Sequence, residues 1–127
     1  MQFEGVHDSE ILSYYVDIEH RKIIFNTLCK NFEVEKRAEI RFENVLAHYF
    51  KNVADQNVIS DIYEESTAKF LDEYRAILNE EKRYDWPTNY KNQEELIGFL
   101  ADNGYRIFYI DSSVGLFGFI IAKKLKL

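Results

Sequence analysis

The sequence predicts an α+β fold: a mostly antiparallel sheet of about five to six strands, with two helices packed on one of its faces. Three observations carry that prediction. Residues 10–43 read as three strands separated by short polar links, with apolar and polar positions alternating at a period of two in 10–18 and 36–43. Residues 66–102 change to a helical period. The end of the chain, Tyr105 to Leu127, returns to aromatic and β-branched residues interrupted by turn chemistry.

Composition sets the class. A chain of 127 residues with 46% hydrophobic and 16% aromatic residues is long enough for one core, so 1–127 is read as a single domain and not as disorder. Sixteen basic residues against 22 acidic ones leave a net charge of −6. That balance argues against a phosphate-binding surface and favours a basic partner over nucleic acid. Cys29 is the one cysteine, which excludes an internal disulfide or a thiolate metal cluster and fits a reducing compartment. The N-terminal MQFEGVHDSE has no apolar leader, and the longest apolar run falls short of the roughly 20 residues a membrane helix needs. The expectation is a cytoplasmic protein with no membrane partner.

The elements follow in order after a lead-in at 1–8. Glu10 to Ile18 reads as a strand, with Leu12, Tyr14, Val16 and Ile18 on one face and Ile11, Ser13, Tyr15 and Asp17 on the other. Glu19 to Lys22 makes a turn. Ile23 to Cys29 is apolar on both faces and reads as a covered strand. After a link at 31–35, Lys36 to Glu43 alternates Ala38, Ile40 and Phe42 against charged residues, so one face meets the core. The next residues, Val45 to Phe50, leave that alternation, which places a bulge or bend at Asn44. Val58 to Tyr63 reads as a further strand.

From Ser66, a suitable N-cap, Phe70, Leu71, Tyr74, Ile77 and Leu78 share one helical face. This helix must stop before Pro87. A second helix spans Gln93 to Asp102, with Asn92 and Glu95 spaced as a capping box and Gly104 just past its end. The terminal stretch then forms a hairpin, broken by Asp111-Ser112-Ser113 and by Gly115 and Gly118. No repeat or linker marks a second domain.

No residue pattern points to catalysis. His7, Asp8 and Ser9 carry the names of a triad, but sequence neighbours cannot relay a proton along one line, and a strand-entry turn explains them better. His20 and His48 have no neighbours at metal-ligand spacing. Cys29 ends an apolar strand as an inert thiol. Gly115 and Gly118 lack the third glycine and the helix of a dinucleotide fingerprint. The reading is a protein that is not an enzyme and has no cofactor, no metal and no catalytic residue.

One charge feature stands out: Glu64, Glu65, Asp72, Glu73, Glu80, Glu81 and Asp85 gather along the first helix and its approach. Lys69, Arg75, Lys82 and Arg83 are interleaved, so a solvated helix face accounts for it. A docking surface for a basic protein accounts for it too. In that reading Asp72, Glu73, Glu80, Glu81 and Asp85 carry the charge, and Tyr84 and Trp86 are the aromatic anchors.

Four stretches add a resemblance: V-H-D-S-E-I before the first strand, F-E-N-V at 42–45, N-V-I-S-D-I at 57–62 and S-S-V-G-L-F-G-F-I-I-A-K at 112–123. Together they resemble small immunity proteins of bacterial contact-dependent growth inhibition and other polymorphic toxin systems. The resemblance implies a cytoplasmic protein that binds one cognate toxin domain, often a basic nuclease, and blocks its active or substrate-binding surface. It implies no particular contact residue. The alternative from the residues alone is a small-molecule-binding domain, with a pocket between helices and sheet lined by Tyr14, Tyr15, Tyr49 and Tyr109.

Overall fold

The alternating stretches do not lie side by side in an open sheet; they curl until the two ends meet. The computed structural model describes residues 6–31 and 34–127. Most of the expected lead-in and the middle of the 31–35 link lie outside the described residues. The strands are β1 (Ser9–Asp17), β2 (Lys22–Asn31), β3 (Val34–Glu43), β4 (Ala47–Lys51), β5 (Val58–Glu65), β6 (Arg106–Val114), β7 (Phe117–Ala122) and β8 (Lys124–Lys126). The helices are α1 (Thr67–Glu73), α2 (Arg75–Glu81) and α3 (Gln93–Asp102), with a 3₁₀ turn at Lys82–Tyr84.

All eight strands form one antiparallel sheet in the order β4-β7-β6-β5-β1-β2-β3-β8. Only Lys123 separates β7 from β8, and residues 44–46 separate β3 from β4. Because β7 pairs with β4 and β8 pairs with β3, these are two long bent strands running alongside each other. Lys123 N donates to Glu43 O (3.1 Å) and Leu46 N to Ile121 O (2.8 Å), which carries the pairing through the bend. Asn44 turns the corner at φ 55°. The sheet therefore closes into a barrel whose walls are β3–β4, β7–β8, β6, β5, β1 and β2.

The expected five to six strands thus become eight. A bend in each of the two long strands splits off β4 and β8, short pieces that a period-two pattern does not mark. The expected bulge at Asn44 is the hinge between β3 and β4.

The two faces of the wall build two cores. Ile23, Phe25, Ile40, Phe42, Ile62, Phe108, Ile110 and Ile120 fill the barrel interior. Phe42 is edge-on to both Phe25 (5.6 Å) and Phe108 (5.8 Å). The opposite face of β4, β7 and β6 meets the helices through Ile107, Tyr109, Phe119 and Ile121, packed against Phe70, Leu71, Leu78, Leu96 and Leu100. The expected alternation of the terminal hairpin holds, and its two strands divide their side chains between the cores.

Strand β1 departs from its expected faces. A register shift between Ile11 and Ser13 leaves Leu12 out of the ladder and 41% exposed, so Ile11 joins the core on the same side as Val16. Strand β6 also runs on through Asp111-Ser112-Ser113 to Val114, where a turn was expected. Ser112 Oγ donates to Leu116 O, and the turn falls at Gly115, whose φ of 83° suits glycine. At Gly118 a Cβ would run into the carbonyl of Tyr49 on β4, so glycine is what lets β7 and β4 approach.

The expected first helix is two. Ser66 caps α1 by accepting from Lys69 N (3.2 Å), and the helix breaks at Tyr74, with φ −107° and ψ 22°. Hydrogen bonds still cross the break, Tyr74 N to Phe70 O (3.0 Å) and Leu78 N to Tyr74 O (2.9 Å). At this point the Tyr74 ring meets Phe119 at 4.6 Å. Helix α3 is capped by Asn92, which accepts from Glu95 N (2.9 Å). Among the described residues no helix is long and apolar enough to cross a membrane.

Candidate functional site: an acidic, tyrosine-rich face

Pairing of β5 with β6 sets the chemistry of the wall facing the helices. The register places Asp61 opposite Asp111 and Tyr63 opposite Tyr109. Two carboxylates directly across an antiparallel ladder repel each other. Glu73, near the end of α1, lies over the same face.

Ionisation of the neighbouring groups reflects this. Burial raises the Asp111 carboxyl above its ordinary value, and the charges of Asp61 and Glu73 push it further; the adjacent Tyr63 hydroxyl works the other way. Burial, then Asp111, Glu65 and Glu73, push Tyr63 up to about 12. Burial with Glu73 does the same to Tyr74, again to about 12. Tyr109 is also raised, by burial first and by Glu73 next. Its hydroxyl is buried and lacks a hydrogen bond of good geometry, so Glu73 acts on it mainly through charge. At neutral pH the phenols of this face keep their protons.

Lys69 serves the α1 side of the face. Lys69 bridges Glu65 (3.5 Å) and Glu73 (3.6 Å), and Glu65 also accepts from Ser66 N (2.9 Å), which holds its carboxyl below the usual range. Glu64 points into the barrel mouth, where Arg106 Nη2 donates to it at 2.6 Å.

The residues expected to dock a partner are distributed along the helical layer. Glu73 joins the acidic face. Asp72 is exposed and paired with Arg75 (3.0 Å), and Glu80 is exposed. Glu81 lines a groove with His48, Tyr49, Ile77 and Trp86. Tyr84 is 66% exposed with the Arg83 guanidinium 4.8 Å from its ring, and so is available as an anchor. Asp85 adopts a left-handed conformation (φ 57°) and accepts from Asn89 (2.9 Å). Trp86 is half-buried, 6.0 Å from Phe119, and serves the core edge.

The other sequence candidates sit in structural roles. His7 pairs with Asp8 (3.2 Å) and with Ser60 O (2.6 Å), while Ser9 is 1% exposed in the barrel wall, away from any catalytic line. His20 pairs with Asp17 (2.8 Å), and its backbone amide on that carboxylate lowers the Asp17 pKa. His48 is half-buried beside Phe50, and burial lowers its pKa. Among the described residues no three histidine, cysteine or acidic side chains are grouped to hold a metal ion. Of the tyrosines named for a small-molecule pocket, Tyr109 is buried in the second core and Tyr49 lines the groove between β4 and α2.

Asp61 and Asp111 are the members of this face that sequence reading missed, because Asp-Ser-Ser reads as a turn. The signal was present in the alternation Asp61–Tyr63 and Tyr109–Asp111 once both stretches are taken as continuous strands. No family model matches the chain, and comparisons with curated proteins and with solved structures find no match.

Proposed function

We propose that this protein is an immunity protein: it binds a cognate toxin domain, a basic nuclease, in the cytoplasm and occludes its active or substrate-binding surface. The observation that supports this most is the Asp61–Asp111 pair with Glu73 beside it. Carboxylates gathered on one face attract and orient a basic partner. The net charge of −6 acts in the same direction by steering a cationic partner. The four stretches that resemble immunity proteins agree with a binding role.

Calorimetric titration against the product of the adjacent upstream gene tests the proposal. The expected result is one-to-one binding that weakens with salt, and an association rate about tenfold lower for Glu73→Lys/Glu80→Lys. No binding to a toxin domain encoded at that position would overturn it. An unchanged association rate would move the interface off this face.

A further inference from the structure

On the far side of the helical layer the charge reverses. A groove of about 280 Å³ opens between α2 and α3, and its rim carries Arg75, Lys82 and Lys91 with no carboxylate among the residues that line it. In a chain with 22 acidic residues against 16 basic ones, such a rim is not the surface average. The floor is apolar, made by Leu71, Leu78, Tyr90 and Leu96. Lys82 lies across it, with Nζ 5.1 Å from the centre of the Tyr90 ring. The Tyr90 hydroxyl donates to Leu78 O (3.4 Å). Asn79, Asn92 and Gln93 add neutral polar groups. The α3 amide opposite Asn92 is already satisfied by that cap, so the cations and not the helix end supply the positive field.

From this arrangement we infer a second binding site, for a small amphipathic anion: a single carboxylate, sulfonate or phosphate on a compact apolar body. The anionic head pairs with Lys82, Lys91 and Arg75, of which Arg75 already shares Asp72. The body lies on Tyr90 and the three leucines, taking the place of the Lys82 side chain. The volume falls just below the range of about 300–1,000 Å³ typical of drug-sized ligands, which limits the body to roughly one or two rings. Asp61, Asp111 and Glu73 are not among the residues that line the groove.

Naphthalene-1-sulfonate and its neutral counterpart naphthalene-1-sulfonamide are the probes, followed by amide chemical shifts in the full chain. Saturable shifts centred on Leu78, Tyr90 and Leu96, at least tenfold weaker for the sulfonamide and for Lys82→Gln/Lys91→Gln, are expected. Equal affinity for the two probes would reduce the site to an apolar patch and overturn the inference. So would shifts elsewhere, unchanged affinity in the double variant, or no saturation at millimolar probe. Chemical shifts of the variant without probe report whether it keeps its fold.

Discussion

Replacing Asp111 by asparagine should stabilise this protein while weakening its attachment to a basic partner. Asp111 lies directly across the ladder from Asp61, and Glu73 adds repulsion from α1. A directly opposed like-charge pair costs a few tenths to about 1 kcal/mol. Asparagine has nearly the same shape and still offers an oxygen beside Tyr63. The Asp111 carboxyl is raised on folding, so the stability tied to its neutral form is fully present below its unfolded pKa and lost as pH rises through the folded value. The gain from Asp111→Asn therefore belongs to neutral pH and shrinks as the wild-type carboxyl takes up its proton. Urea unfolding at pH 7 should show a gain of about 0.5–1 kcal/mol, and at pH 3.5 most of it should be gone. A double-mutant cycle with Asp61→Asn should return a coupling of similar size, since either change alone removes the pair. Loss of stability at pH 7, a gain that persists in acid, or a coupling of zero would each refute the account of this face as stored repulsion.

Two further outcomes follow from the scaffold. Asn57 is 8% exposed; its side chain donates to Ala54 O (2.8 Å) and accepts from Ala54 N (3.1 Å) and Leu116 N (2.9 Å), tying the loop after β4 to the β6–β7 turn. Asn57→Ala should cost about 2–4 kcal/mol in urea unfolding, because it leaves buried partners unsatisfied. His48 titrates below its ordinary value because it is buried, so its contribution to stability is present above the unfolded pKa and disappears as pH falls through the folded one. His48→Gln should flatten the fall in stability between pH 7 and pH 5, measured as the urea midpoint; an unchanged slope would place the titration elsewhere.

Local chemistry was legible in the sequence, and pairing was not. Ser66 and Asn92 declared themselves as caps because the hydrogen bonds they make reach only three residues along the chain. The helical face of Phe70, Leu71 and Leu78 and the division of Ile107 to Ile110 between two faces were likewise visible as periods. What escaped depends on distant partners. Leu12 is extruded because β1 must meet β5 at Ser9 and Glu10 and still follow β2, and nothing in the residue itself marks that. Strands β4 and β8 are too short to show a period. The break at Tyr74 coincides with ring packing against Phe119, a contact the sequence cannot display. The opposition of Asp61 and Asp111 emerged only with the register of β5 on β6, so the most informative part of the candidate site depended on the least legible feature of the fold.

Closure of the barrel has a kinetic side. The seam joins Arg41, Phe42 and Glu43 to Lys126, Leu125 and Lys124, residues from the first and last portions of the chain. The β1–β2–β3 meander can zip from its own turns, and the β6–β7 hairpin from Gly115, but the seam waits until both exist and have found each other. Folding should therefore run in the slow range typical of non-local β topologies, milliseconds to seconds. Until the seam forms, β3 and β7 hold unpaired edges, and those edges are where association with other chains would begin.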